Sequence, residues 1–139
     1  MSNVGWLVND TLTCIPGTKT FWHDLLEWFP NLRDKTNGYT NFSILPKSIE
    51  REAELFGAPD FIIRNGTFFG PVQIPGVKII SLIQDFYTNH LRAQQNDVIN
   101  SSDIVVFNNQ NLLDRYKKDI APWVKTKVIP LGVDFDFFK

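Results

Sequence analysis

The chain has 139 residues and a mass of 16.0 kDa, the size of one domain rather than two. Hydrophobic residues make up 43% and charged residues 21%, a balance that is typical of a globular protein and argues against disorder. The net charge of -1 gives no strong field to attract nucleic acid. One cysteine and two histidines exclude a disulfide framework and leave too few ligands for a structural metal site.

The first half of the chain switches between strand-like and helical patterns. A short apolar run over 4–8 predicts a strand that is buried on both faces. Over 18–30 the apolar residues recur at helical spacing, and a proline ends the predicted helix. Residues 41–45 alternate like a second strand. A helix is predicted over 48–57, with a serine as its N-cap and a glycine at its end.

The second half continues the alternation. It contains four apolar runs that predict strands and two segments that predict helices, the strands over 61–63, 77–83, 103–107 and 127–129, the helices over 89–99 and around Leu112, Leu113 and Tyr116. Helices that alternate with buried strands predict an α/β fold, a Rossmann-like parallel sheet of about six strands with helices on both faces.

Ligands of such a sheet bind outside the carboxyl ends of its strands. Five loops follow predicted strands and are rich in Asn, Gln, Asp, Gly and Thr; they span 9–18, 64–69, 84–89, 108–111 and 131–134. Surface loops are polar in most proteins, so any one of them has an ordinary explanation. Their repetition after five strands favours a binding edge.

The first of these loops has a second feature. Gly17 and Thr18 stand just before the predicted helix, where free N–H groups and the helix dipole attract phosphate. The spacing matches neither the dinucleotide-binding pattern nor the P-loop pattern. A plain helix start explains the loop equally well.

Several segments, taken in order, resemble a known family of enzymes. The strand SDIVVF at 102–107, the helix with Tyr116 and the segment VIPLGVDFDFF at 128–138 are similar to sugar-nucleotide glycosyltransferases of the GT-B class. The closest resemblance is to the large retaining family four. The segment IISLIQDFY at 79–87 resembles that family's fourth strand end, and the resemblance covers most of the chain.

The resemblance implies a domain organisation and an activity. Residues 1–130 would form the N-terminal, acceptor-side domain, and 131–139 would begin an interdomain linker. The implied reaction transfers a sugar from a nucleotide-sugar donor to a glycan or another hydroxyl acceptor, with the donor as substrate, no cofactor and no metal. The family binds the donor mainly with a second Rossmann domain. We therefore expect this chain to be inactive without a C-terminal domain supplied in cis or in trans.

The resemblance also implies candidate site residues. Gln84 and Asp85 are the candidate catalytic residues, which would orient the transferred sugar or the acceptor. Gln84 stands where the family often has histidine, and a glutamine binds hydroxyls but cannot act as an acid or a base. Capping of the next helix also explains Asp85. The candidate substrate-binding residues are Gly17, Thr18, Asn65, Thr67, Tyr87, Asn108, Asn109, Gly132 and Asp134.

Some of these candidates also suit purely structural roles. Asn65 with the following glycine is a plain turn signal, and Gly132 with Asp134 suits a hinge between domains. The alternative function is a stand-alone, non-catalytic Rossmann-like module that binds a nucleotide, a glycan or a protein partner.

The start of the chain has no secretory signal, so we expect a cytoplasmic protein with at most peripheral membrane contact. A half-enzyme would expose apolar surface that its second domain covers, and the candidates for that surface are Phe135, Phe137 and Phe138.

Overall fold

The computed structural model describes residues 4–9, 27–34, 46–65, 70–84 and 92–130. Within these ranges the strands are β1 Gly5–Asn9, β2 Leu32–Asp34, β3 Phe61–Asn65, β4 Lys78–Ile83, β5 Ile104–Phe107 and β6 Lys125–Val128. The helices are α1 Pro46–Phe56, α2 Arg92–Asn100 and α3 Gln110–Tyr116, the last followed by a 3-10 turn at Lys117–Asp119. Every strand pair is parallel, which confirms the Rossmann-like α/β fold.

The strand order creates a switch point in the sheet. The order is β2-β1-β3-β4-β5-β6. The connection from β1 to β2 moves across the sheet in one direction, and every later connection moves in the other. The direction therefore reverses between β1 and β3. In sheets of this kind the crevice outside the carboxyl ends at the reversal is the usual ligand site.

The three described helices all pack on one face of the sheet. Ile49 of α1 belongs to a buried apolar cluster with Val8 and Ile62, whereas Ile99 of α2 and Leu112 of α3 belong to a second cluster. All later steps run in the same direction, so right-handed crossovers place their helices on the same side. The connection from β1 to β2 lies largely outside the described residues. The structure therefore shows one of the two predicted helical layers.

Five predicted strands are confirmed with small shifts, and one observed strand was not predicted. The unpredicted strand, β2, has three residues, too few to show a pattern, and it stands at the edge of the sheet. β6 begins at Lys125, two residues before its predicted start, because alternate residues of this edge strand are exposed and polar. The predicted strand over 41–45 lies outside the described residues.

The helix predictions hold in the described ranges. α1 begins at Pro46, two residues before the predicted cap, and proline is favoured in the first turn of a helix. Gly57 follows α1 with a φ of 96°, the left-handed conformation that ends many helices. Residues 27 and 28 are helical, in agreement with the end of the helix predicted over 18–30.

Candidate functional site

The carboxyl edge of the sheet brings together several of the predicted site residues. β1, β3, β4 and β5 are parallel neighbours, so their carboxyl ends lie side by side. β1 ends with Asn9 and β3 with Asn65, Gln84 follows β4, and Asn108 follows β5. Each of these four neighbouring strands therefore ends at, or is directly followed by, an amide residue along one edge.

The first two of these residues mark the switch point. In the register of β1 and β3, Asn9 lies opposite Asn65. The Asn65 side chain is buried, with 3% of the residue exposed. Asn65 is among the site residues predicted from the sequence, whereas Asn9 is predicted only as the start of the polar loop 9–18. The pairing of β1 with β3 places Asn9 opposite Asn65, and no local signal in the sequence shows which strands are neighbours.

The other two residues continue the edge. Ile83 of β4 lies opposite Phe107 of β5, so the next residues, Gln84 and Asn108, leave the sheet as neighbours. Both residues are partly exposed. An amide side chain offers both donors and an acceptor, which suits hydroxyl groups that themselves donate and accept. The amides of Gln84 and Asn108 can therefore exchange hydrogen bonds with hydroxyl groups.

Asn109 has a structural role. It is the N-cap of α3, and its Oδ1 accepts a hydrogen bond of 2.8 Å from the backbone N–H of Leu112. Its Nδ2 donates to Oδ1 of Asn108 at 2.9 Å. Capping therefore accounts for Asn109, which in turn orients the amide of Asn108.

The remaining predicted site residues lie outside the described residues. They are Gly17, Thr18, Thr67, Asp85, Tyr87, Gly132 and Asp134. Phe135, Phe137 and Phe138 also lie outside them, so the expected apolar surface at those positions stays a prediction.

The described ranges also contain a depression away from the carboxyl edge. An open depression of about 500 Å³ lies near the amino ends of β4 and β5, lined in part by Val72, Ile74, Pro75 and Asp103. It is therefore at the opposite edge from the predicted site. Among the described residues, no group of three or more His, Cys, Asp or Glu side chains is placed to hold a metal ion. No helix in the same ranges is long and apolar enough to cross a membrane.

Comparisons with known proteins found no relative of this chain. No family model matches it, and neither the curated proteins nor the solved structures gave a significant match. The fold and the residues of the carboxyl edge are therefore the structural basis for assigning a function.

Proposed function

We propose that this chain is the acceptor-side part of a glycosyltransferase that uses a nucleotide-sugar donor. The observation that carries the proposal is the row of amide residues, Asn9, Asn65, Gln84 and Asn108, at neighbouring strand ends beside the switch point. The sequence resemblance to GT-B glycosyltransferases supplies the reaction, and the row of amides supports binding of a sugar or glycan at this edge.

The type of side chain supports a binding role for this edge. Among the described residues that end or directly follow β1, β3, β4 and β5, none is a carboxylate or a histidine. Amides bind hydroxyls by hydrogen bonds but do not take up or release protons near neutral pH. These described residues are therefore suited to hold and orient an acceptor, and the assignment of Asp85 as a catalytic partner of Gln84 remains part of the proposal.

The proposal includes a second domain. A diphosphate donor needs cationic or N–H groups to compensate its charge, and Gly17 and Thr18 would supply only part of them. A C-terminal Rossmann domain, in cis or in trans, would supply the rest in the cytoplasm, with peripheral membrane contact at most. The chain alone would then bind an acceptor without transferring sugar.

Saturation-transfer NMR on the full chain tests the proposal. The probes are a panel of mono- and disaccharides and, separately, UDP-glucose and GDP-mannose. We expect saccharide signals that fall several-fold in a variant carrying Gln84→Ala and Asn108→Ala. The matched control is Gln73→Ala, an exposed amide away from the carboxyl edge, which should leave the signals unchanged.

Two results would count against the proposal or redirect it. Absence of saccharide signals at millimolar concentration, or an equal loss in the Gln73→Ala control, would contradict the acceptor-side role. Tight binding of the nucleotide sugars by the chain alone, lost in the double variant, would favour the stand-alone nucleotide-binding module instead.

A further inference from the structure

The outer edge of β6 carries exposed apolar side chains beside lysines. β6 is the last strand of the described sheet. Trp123, two residues before this strand, is 73% exposed, and Ile129, directly after it, is 56% exposed. The same segment contains four exposed lysines, Lys117, Lys118, Lys125 and Lys127. These six residues are called the β6 patch below.

The β6 patch is more positive than the rest of the protein. Residues 117–130 contain four lysines and one aspartate, whereas the whole chain has a net charge of -1. The aspartate, Asp119, already forms an ion pair of 2.7 Å with Arg92. None of the four lysines forms an ion pair with another residue of the described ranges. The patch therefore presents four cationic groups at the surface.

Trp123 is held in its exposed position by α2. Its Nε1–H donates a hydrogen bond of 3.0 Å to the carbonyl oxygen of Asn100, the last residue of that helix. The Asn100 side chain fixes the same loop, because it donates to the Asp119 carbonyl at 3.0 Å and accepts from the Ala121 N–H at 2.8 Å. The polar atom of the indole is thus satisfied within the protein, and the rest of the exposed ring is an apolar surface.

β6 directs its lysines away from the helices. Thr126 lies opposite Val105 of β5, which is buried in the cluster under α2 and α3. Side chains alternate along a strand, so Lys125 and Lys127 project from the other face. Ile129 continues the alternation, since its N–H still donates to the backbone of the residue that ends β5, at 2.9 Å. Two lysines and an isoleucine therefore share one side of this edge.

Protection of the sheet edge explains only part of the patch. Lysines on an edge strand discourage pairing with the strand of another chain, but this gives no reason to expose Trp123 and Ile129 beside them. Nucleic acid is bound mainly by cationic groups on its phosphates, to which an isoleucine adds nothing. A lipid surface uses both kinds of residue, because apolar side chains enter the boundary of the acyl chains while lysines reach the anionic headgroups.

We propose that the β6 patch binds the surface of an anionic lipid membrane. The negative potential of such a surface attracts lysines, and this attraction weakens as the salt concentration rises. Trp123 and Ile129 add apolar contact, which salt does not screen. The inference is independent of the proposed function, since lipid binding at this edge needs no saccharide site.

Vesicle sedimentation with the full chain tests the charged part of the patch. At low salt, phosphatidylcholine vesicles with about 30% phosphatidylserine should bind the chain, and vesicles of phosphatidylcholine alone should not. A variant with Lys125→Gln and Lys127→Gln should bind the anionic vesicles about tenfold more weakly. The matched control combines Arg33→Gln and Lys47→Gln, which remove the same charge at exposed positions away from β6 and should leave binding unchanged.

Trp123→Ala tests the apolar part of the patch. This variant should bind the anionic vesicles several-fold more weakly and keep its dependence on salt. The control is Trp28→Ala, which removes a tryptophan that is 60% exposed and precedes β2, at the opposite end of the sheet. Melting temperatures show whether each variant folds. If Trp123→Ala does not fold, the lysine variant, which changes only exposed side chains, decides the outcome.

Three results would overturn the inference. They are absence of binding to the anionic vesicles, equal binding to both kinds of vesicle, and an equal loss of binding in the control variants. Binding of a short DNA duplex more tightly than of the anionic vesicles would also overturn it, in favour of nucleic acid as the partner of this edge.

Discussion

The two edges of the sheet use polar residues in different ways. At the amino edge, Asp60 and Asp103 each stand one residue before a strand and exchange two hydrogen bonds with a residue of the neighbouring segment. Asp60 donates its N–H to the Val4 carbonyl and accepts from the Val4 N–H, both at 2.8 Å. Asp103 makes the same pair of bonds with Ile79, both at 2.9 Å.

At the carboxyl edge the described residues that end or follow β1, β3, β4 and β5 include four amides, whereas the edge strand β2 ends with Asp34. Asn65 ends its strand, and Gln84 and Asn108 follow theirs. A polar residue beside a parallel strand thus has two different uses. Before the strand, a carboxylate that accepts a hydrogen bond from the neighbouring segment helps to set the register of the two strands. After the strand, an amide stands where ligands of parallel sheets bind. Variants at the two edges should therefore differ in what they change.

The largest effect is expected for Gly5→Ala at the amino edge. A Cβ atom on Gly5 would overlap the Phe61 ring and the Leu32 side chain, so these two side chains must shift. Overpacking of this kind costs about 1–3 kcal/mol of unfolding free energy. Gly70→Ala is the matched control, because a Cβ there has no atom within 4 Å. Equal urea midpoints for the two variants would contradict the prediction.

Asp103→Ala should come next in size. The variant removes the carboxylate that accepts from the Ile79 N–H, and because this side chain is 42% exposed we expect the low end for a charged acceptor, about 1.5 kcal/mol. The ion pair of Asp103 with Lys78, at 3.8 Å and well exposed, adds little. Asp97→Ala on the exposed side of α2 is the control and should be near neutral. A loss of unfolding free energy no larger than that of the control would show that Asp103 does not help to set the register.

Variants of Asn109 distinguish a capping role from a binding role at the carboxyl edge. Asn109→Ala should cost about 1 kcal/mol of unfolding free energy, because the cap of α3 is lost. Asn109→Asp should restore the stability, since aspartate caps equally well. Denaturant titration of the two variants checks this. If aspartate destabilises the protein as much as alanine does, capping is not the role of this residue.

Gln84→Ala is expected to have the smallest effect on stability. The side chain is partly exposed and follows β4, so the unfolding free energy should change by less than about 0.5 kcal/mol. Its effect should instead appear as weaker saccharide binding. A stability loss as large as that of Asp103→Ala would show that the two edges use their polar residues in the same way.

The buried strands could be predicted from the sequence because burial leaves a local pattern. β3, β4 and β5 each contain an apolar run, and alternate residues of each strand are buried. The edge strands leave a weaker pattern. β2 has three residues, and β6 exposes Lys125 and Lys127, so one was missed and the other was placed two residues late.

The position of the candidate site could be predicted only in part. The polar residues after predicted strands placed Asn65, Gln84 and Asn108 at one edge, because the carboxyl ends of a parallel sheet lie together. The pairing of Asn9 with Asn65 depends on the strand order, which no local pattern shows, because it results from contacts between separate segments.

The most direct test of the central claim is a residue-resolved map of saccharide binding. Amide chemical shifts of the full chain are followed while the best-binding disaccharide is added. The largest changes should occur at Asn65, Gln84 and Asn108, and residues near Asp60 and Asp103 should be unaffected. Changes centred on the amino edge, or no changes at saturating disaccharide, would contradict the assignment of the carboxyl edge as the ligand site.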